Sequence, residues 1–215
     1  MSKLFIGLMS GTSADSVDTV LLSVSEEKIK SLGTYTHPIP DKVKNSIYES
    51  VNSQNLDKNK INKLDMVLAE IFSEAVNALL MQECLRSQDI EAIGSHGQTI
   101  KHSPNLPVPF SLQIGNAELL ANSTGIKTVS DFRSDDISAG GQGAPITPIF
   151  NEYAFSSNSK RVIINIGGIA NVTSLENKIQ TEVFQQCEFV MMQFQDIIHP
   201  ILFSLVLTKR NKNHI

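Results

Sequence analysis

The chain has 215 residues, of which 41% are hydrophobic, and its formal net charge is −4 at pH 7. This is enough apolar residues for one large domain or two small ones, and the acidic balance argues against a nucleic-acid partner held by electrostatics. The two cysteines fit no zinc spacing and no secretory signal is seen, so we expect a cytoplasmic protein with free thiols. The most apolar C-terminal stretch, 190–207, is too polar for a membrane span.

The first three predicted elements are strands joined by short links. They are Leu4–Met9, Val17–Val24 and Ile29–His37. Links this short predict an antiparallel meander.

The link between the first two strands combines a glycine, hydroxyl side chains and acids. Gly11 allows a sharp turn, and short hydroxyl donors lie beside free backbone N–H groups, an arrangement suited to phosphate oxygens. The hydroxyl donors are Ser10, Thr12 and Ser13. Asp15 and Asp18 follow, and an acid near bound phosphate commonly orients Mg²⁺. The alternative is an ordinary hairpin turn rich in glycine and serine.

Helices and strands alternate in the next part of the chain. The predicted elements are a long helix over 61–80, a strand at Ile90–Ser95, a helix capped by Asn116 and ended by Gly125, a strand at Ile126–Asp131 and a helix at 146–156 after a glycine-rich loop, 138–144. Three antiparallel strands followed by alternating helices and strands is the ribonuclease-H-like order. We therefore predict an α/β lobe with a mixed five-stranded sheet, the layout of each half of the actin-like sugar kinases.

Residues 161–175 repeat the opening pattern of strand, glycine-containing turn and strand. This hairpin is interpreted as the start of an incomplete second lobe, although a plain hairpin with a Gly-Gly turn is the alternative. The predicted division is a first lobe over 1–159, the start of a second lobe over 160–176 and an aberrant tail over 177–215.

Five ordered blocks of the sequence resemble the anhydro-N-acetylmuramic acid kinase family. They are GLMSGTSADSVD (7–18), GSHGQTIKHSP (94–104), LQIGNAELLANSTG (112–125), DFRSDDISAGGQGAP (131–145) and NIGGIANVT (165–173). The resemblance implies a kinase that uses ATP and Mg²⁺ on 1,6-anhydro-N-acetylmuramic acid in peptidoglycan recycling. Such an enzyme opens the anhydro ring with water and gives N-acetylmuramic acid 6-phosphate. For the full-length family a homodimer is compatible with the resemblance.

The resemblance assigns the first block to the ATP phosphates, with Asp15 at the metal. The cofactor-binding residues carried over are Gly11, Thr12, Ser13, Ala14, Asp15, Ser16, Val17 and Asp18. Two of them depart from the family pattern. Ala14 replaces a larger apolar residue, which predicts a packing gap, and Ser16 replaces a glycine, which matters if the backbone there needs a positive φ.

The middle blocks supply the expected sugar-binding residues, which are His96, Gln98, Thr99 and Arg133. The Arg133 fork suits the lactyl carboxylate of the muramic sugar, and we expect Arg133 to lie near His96 and Gln98. The alternatives are a buried histidine bonded to backbone and a structural salt bridge of Arg133 with a nearby aspartate. The glycine-rich loop after Arg133 is expected to be mobile, at the end of a strand.

The tail departs from the family. The FDTGPGN-like motif, whose aspartate is thought to activate water, does not occur in the sequence, and no glycine follows residue 168. The catalytic residue is therefore left unassigned, and a frameshift or premature stop is the preferred explanation. We expect no kinase activity from this chain. The alternatives are a sugar- or phosphate-binding lobe, an unstable fragment, and a genuine divergent helix in the tail.

Overall fold

A computed structural model describes residues 2–26, 28–104, 107–157, 159–166, 170–175 and 179–184. The chain divides into two compact units, Met1–Gly143 and Ala144–Ile215. The lobe boundaries predicted after residues 159 and 176 stay predictions.

The first unit contains a mixed five-stranded sheet. Its strands are β1 (Lys3–Ser10), β2 (Ser16–Val24), β3 (Ile29–Pro38), β4 (Ala92–Ser95) and β7 (Thr128–Val129). In space they follow the order β3-β2-β1-β4-β7, with β1 and β2 antiparallel, β2 and β3 antiparallel, and β1, β4 and β7 mutually parallel. The predicted meander and the ribonuclease-H-like sheet are confirmed.

Five α-helices occur among the described residues. They are α1 (Asp41–Asn52), α2 (Lys58–Gln82), α3 (Ala117–Thr124) and α4 (Phe132–Ser138) in the first unit, and α5 (Thr147–Phe155) in the second. Within the described residues, no helix combines the length and apolar character that a membrane span requires.

The core of the first unit lies between α2 and the sheet. Apolar residues of α2 recur at three- and four-residue steps, so one stripe of the helix is buried. Leu68, Phe72 and Leu79 have no solvent exposure, and they join Ile6 and Ile93 of the sheet in one apolar cluster. The long helix predicted over 61–80 is confirmed, with Asp57 as its N-cap.

The segment between α3 and the glycine-rich loop differs from the prediction. Asn116 caps α3 and Gly125 ends it with a left-handed backbone, as expected. The strand predicted over Ile126–Asp131 is wrong in length, because only Thr128–Val129 pair with β4. Asp131 takes a φ of 61°, which breaks the extended backbone, and α4 begins directly after it.

Two helices and one hairpin of the first unit are absent from the sequence-based prediction. They are α1 and the antiparallel hairpin of β5 (Gln98–Ser103) with β6 (Phe110–Ile114), together with α4. The hairpin stands as a separate two-stranded sheet.

The second unit contains α5 and a three-stranded antiparallel sheet. Its strands are β8 (Arg161–Ile166), β9 (Ala170–Leu175) and β10 (Ile179–Phe184). The hairpin predicted over 161–175 and the helix predicted at 146–156 are confirmed. Strand β10 lies in the segment predicted to be an aberrant tail, and residues 185–215 of that tail lie outside the described residues.

Candidate functional site

The phosphate turn, residues 10–16, joins β1 to β2. Ser10 pairs with Val17 in the strand register, so the chain reverses over few residues. The Ala14 N–H donates to the Gly11 carbonyl at 3.0 Å, and the Ser13 hydroxyl donates to Oδ1 of Asp15 at 2.6 Å. Thr12, Ser13 and Asp15 are exposed. The turn therefore has hydroxyl side chains and one carboxylate at the surface, and phosphate and metal binding there stay predictions.

The positive φ in this turn falls at Ala14 and not at Ser16. Ala14 has a φ of 43° and is fully buried. Ser16 already belongs to β2, where it pairs with Pro38 in extended backbone. The glycine-to-serine departure at 16 therefore carries no left-handed strain, whereas a non-glycine residue at 14 does. The packing gap beside Ala14 stays a prediction.

Helix α1 holds the phosphate turn through Tyr48. The Tyr48 hydroxyl donates to the Ser13 carbonyl at 2.7 Å, and Lys44 Nζ lies 5.8 Å from the centre of the Tyr48 ring. Both residues were missed, because α1 was not predicted. The available signal was the four-residue spacing of Val43, Ile47 and Val51 behind Pro40.

The other carried-over residues of the first block have different surroundings. The Asp18 carboxylate lies on β2 and accepts a hydrogen bond from Thr36 of β3 at 2.9 Å. Val17 is fully buried, so its side chain packs in the core. The described residues contain no group of three or more His, Cys, Asp or Glu side chains that could hold a metal ion. Asp15 by itself fits Mg²⁺, which takes one or two carboxylates and fills its shell with water and phosphate oxygens.

A buried hydrogen bond connects the phosphate turn to the β5–β6 hairpin. The Ser10 hydroxyl donates to Oε1 of Gln98 at 2.6 Å, and both side chains are buried. The other end of the Gln98 amide donates to the Thr99 carbonyl at 3.2 Å. Gln98 therefore joins the two segments that were expected to bind phosphate and sugar, and a direct sugar contact of Gln98 stays a prediction.

Arg133 and His96 are in contact, as the sequence predicted. Arg133 Nε donates to Nε2 of His96 at 2.9 Å, and Arg133 Nη1 donates to the Gly143 carbonyl at 2.7 Å. Arg133 forms no ion pair with any carboxylate among the described residues. The salt-bridge alternative is therefore not observed there, and the guanidinium charge stays available for an anion.

The electrostatics of this cluster reflect burial and one positive charge. Burial lowers the pKa of His96, and the charge of Arg133 lowers it further. The pKa of His102, on β5, is lowered by the same two causes in the same order. Burial also lowers the pKa of Arg133 itself. The lowered pKa values favour the neutral form of both imidazoles near the Arg133 guanidinium.

The glycine-rich loop after α4 is held by α4. Asp136 Oδ2 accepts the Gly143 N–H at 2.7 Å, while Arg133 binds the carbonyl of the same residue. The expectation that this loop follows a strand is wrong, because α4 lies between β7 and the loop. Gly97 packs closely against β6, because a Cβ there would lie 2.7 Å from the Ile114 carbonyl oxygen.

The β5–β6 hairpin adds a row of polar side chains near Thr99. Gln113 Nε2 donates to the Thr99 hydroxyl at 3.1 Å and to the Ser111 hydroxyl at 2.8 Å. His102 Nδ1 lies 3.1 Å from the same Ser111 hydroxyl. Sequence reasoning missed Gln113, Ser111 and His102. The alternating pattern Phe-Ser-Leu-Gln-Ile of β6 was the signal for this strand.

Comparison with known proteins points to one family. The sequence model described as anhydro-N-acetylmuramic acid kinase matches residues 3–187. The protein named anhydro-N-acetylmuramic acid kinase of Shewanella sp. strain ANA-3 is 46% identical over 172 residues, which are 80% of this chain and 47% of that protein. The protein of the same name from Shewanella loihica is 44% identical over 177 residues, 81% of this chain and 48% of that protein.

Among solved structures, the chain is similar to the Ppx/GppA family member of Aquifex aeolicus. The TM-score is 0.40 at 10% sequence identity, over 86% of this chain and 51% of that chain. The chain spans about half the length of the curated relatives it matches. The family match over 3–187 covers most of the sequence, and the chain belongs to the anhydro-N-acetylmuramic acid kinase family.

Proposed function

We propose that this chain supplies the sugar- and phosphate-binding lobe of an ATP-dependent kinase that acts on 1,6-anhydro-N-acetylmuramic acid. The observation that carries the proposal is the 2.6 Å bond between Ser10 and Gln98. It joins the phosphate turn to the segment that bears His96, whose ring contacts Arg133. A phosphoryl donor at the turn and a sugar held by Arg133 would therefore lie close together, as phosphoryl transfer requires.

The phosphate turn would hold the ATP phosphates and the metal. Its exposed Thr12 hydroxyl is a short donor suited to phosphate oxygens, whereas the Ser13 hydroxyl donates to Asp15. Asp15, whose Oδ1 accepts a hydrogen bond from the Ser13 hydroxyl, would take Mg²⁺. ATP supplies the phosphoryl group when bound, and Mg²⁺ neutralises the phosphate charge.

Arg133 would hold the lactyl carboxylate of the sugar. Its side chain is half-buried and faces no carboxylate among the described residues, so a ligand carboxylate would compensate the guanidinium charge. Planar bidentate recognition is what arginine provides and lysine does not. Thr99 and His102 are the further polar groups on the adjacent hairpin that could contact sugar hydroxyls.

For these 215 residues by themselves we propose binding without turnover. Opening the anhydro ring with water needs a general base within hydrogen-bond reach of that water. The FDTGPGN-like motif expected to carry this base does not occur in the sequence. The family reaction, in the cytoplasm where ATP is available, is proposed for an enzyme in which that part is present.

Two sugars distinguish this proposal from its alternatives. Calorimetric titration with 1,6-anhydro-N-acetylmuramic acid should show binding. The matching anhydro sugar without the lactyl ether should bind more weakly, at least about ten-fold, because Arg133 loses its carboxylate partner. Absence of binding for both sugars, with no thermal stabilisation by either, would favour an unstable fragment.

ADP formation tests the absence of turnover. The chain is incubated with ATP, Mg²⁺ and the anhydro sugar, and ADP is measured by a coupled assay. We expect no sugar-dependent ADP above background. Robust ADP formation that requires the sugar would overturn the binding-only proposal and show that a general base lies within these residues.

A further inference from the structure

His96 uses both of its ring nitrogens inside the protein. Nδ1 lies 2.9 Å from the carbonyl oxygen of Gly97, and Nε2 lies 2.9 Å from Nε of Arg133. The ring is half-buried between β4 and α4. No ring nitrogen is therefore left to contact a ligand directly.

These two neighbours require the same tautomer. A carbonyl oxygen only accepts, so Nδ1 must carry the proton. Arg133 Nε only donates, so Nε2 must be the bare acceptor. Protonating the ring would place an N–H on Nε2 against the N–H of Arg133 and break the contact.

We propose that His96 is a positioning residue that orients Arg133 toward a carboxylate ligand and does not itself contact that ligand. The identity of the ligand, a sugar carboxylate, rests on the function proposed above. The orientation of the guanidinium rests only on the contacts in this cluster.

The remaining contacts of Arg133 support this role. Of the five guanidinium N–H groups, one on Nε faces His96 and one on Nη1 faces the Gly143 carbonyl. Gly143 is itself fixed, because its N–H donates to Asp136. Two acceptors thus fix the guanidinium plane. One is His96 Nε2, directly after β4, and the other is the Gly143 carbonyl in the glycine-rich loop. Among the described residues, Nη2 of Arg133 has no hydrogen-bond acceptor, so its edge is the one we assign to a ligand.

The charges around His96 agree with a neutral ring. Burial and Arg133 both lower the pKa of His96, while the Gly97 carbonyl raises it less. Burial and then the charge of Arg133 also lower the pKa of His102. The carboxylate of Asp136, which lies on α4 like Arg133, accepts the N–H of Gly143, and the carbonyl of Gly143 accepts from Arg133.

Histidine NMR on the full chain tests the tautomer directly. The chain contains five histidines, and the signal that disappears in His96→Gln identifies His96. We expect a protonated Nδ1 and a bare Nε2 at about pH 7.5, a pH above the ordinary histidine pKa. Arg133→Gln should raise the pKa of His96, because it removes the positive charge that lowers it, while the Gly97 carbonyl keeps the proton of the neutral ring on Nδ1. A neutral ring protonated at Nε2 in the parent chain, or an unchanged pKa of His96 in Arg133→Gln, would overturn the proposal.

A double-mutant cycle separates positioning from contact. His96→Phe should weaken binding of the anhydro sugar about ten-fold, the effect of one hydrogen bond to a charged group. In the Arg133→Gln background the same change should have no further effect, and His96→Gln, which keeps an acceptor, should retain most affinity. Equal losses in both backgrounds would mean that His96 touches the sugar. If the parent chain binds no sugar, the proposed function fails, and the NMR result alone decides the role of His96.

Discussion

Several polar residues of the GSHGQT block are used to build the site. The Gln98 amide is buried and bonded to Ser10 and to the Thr99 carbonyl. Both His96 nitrogens are bonded within the first unit. Residue type alone suggests ligand contacts for such side chains, because an amide and an imidazole suit sugar hydroxyls. Only the geometry shows that these groups support Arg133 and the phosphate turn.

Gly115 is a residue at which we expect a large loss of stability. It precedes the α3 cap with a φ of 116°, and a Cβ built there lies 2.2 Å from a ring carbon of the buried Phe72. Gly115→Ala should lower the free energy of unfolding by about 3 kcal/mol or more, combining backbone strain with overpacking. Urea unfolding of the chain measures this.

Gly125→Ala is the matched control for that change. Gly125 also has a positive φ, 69°, but a Cβ there meets nothing within 4 Å. The loss should be about 1 kcal/mol, the left-handed penalty alone. Equal losses for the two variants would show that the contact with Phe72 does not determine the effect.

The lowered pKa of His96 predicts a pH dependence of stability. In the unfolded chain His96 binds a proton at its ordinary pKa of 6.5, whereas the folded protein resists that proton because of burial and then of Arg133. The contribution of His96 to the free energy of unfolding should therefore be fully present above pH 6.5. It should fall as the pH drops from 6.5 toward the lower pKa of His96 in the folded protein. His102 acts in the same direction.

Arg133→Gln provides the comparison for this pH dependence. It removes the second cause of the lowered pKa and leaves burial in place. The loss of stability between about pH 7.5 and about pH 5.5, which brackets the ordinary histidine pKa, should be smaller in the variant. A loss that is equal or larger in Arg133→Gln would contradict the assigned cause.

At the scale of elements, α2 organises the start of α3. Asp65 on α2 accepts the Gly115 N–H at 2.7 Å and the Asn116 side-chain amide at 3.0 Å. Asn116 in turn caps α3 by accepting the Leu119 N–H at 2.9 Å. One carboxylate thus fixes the turn between β6 and α3.

Asp65→Ala should destabilise the protein by about 1–3 kcal/mol, because the Gly115 N–H and the Asn116 amide lose their acceptor. Unfolding curves in urea give the value. Glu70→Ala, at an exposed position of the same helix, should stay within about 0.5 kcal/mol of the parent. If both variants behave alike, the Asp65 contacts add nothing beyond a surface charge.

Elements with strong local signals were predictable from the sequence. The meander has short links, and the apolar residues of α2 recur at helical spacing over many turns. Helix α3 has an N-cap residue, Asn116, and a terminating glycine, Gly125. The sequence-based prediction missed α1, α4 and the β5–β6 hairpin. Helix α4 is seven residues long and follows a left-handed Asp131, and no periodicity can emerge over so few positions. Strands β5 and β6 form a separate two-stranded sheet, and they lack the continuous apolar run that marks a central strand in a sequence.

One contact of the candidate site was predictable from the sequence, and the others were not. The contact between Arg133 and His96 follows from the neighbouring ends of β4 and β7 in the sheet, and it is confirmed. The bond from Tyr48 to Ser13 required knowledge of α1, and the bond from Ser10 to Gln98 depends on side-chain packing that no motif encodes. Metal binding by Asp15 and sugar binding by Thr99 stay predictions.

At the scale of the whole molecule, the first unit contains both candidate sites. The phosphate turn, the His96–Arg133 contact and the glycine-rich loop up to Gly143 all belong to Met1–Gly143. The second unit contributes α5 and the sheet of β8, β9 and β10. We therefore expect the first unit to hold the anhydro sugar through Arg133.

Calorimetric titration of 1,6-anhydro-N-acetylmuramic acid into the chain and into Arg133→Lys tests this claim most directly. Lysine keeps the positive charge and loses the planar fork, so the account predicts binding by the parent chain and an affinity at least about ten-fold lower in the variant. Urea unfolding of both proteins verifies that the variant is folded. Equal affinity in the two proteins would contradict the account.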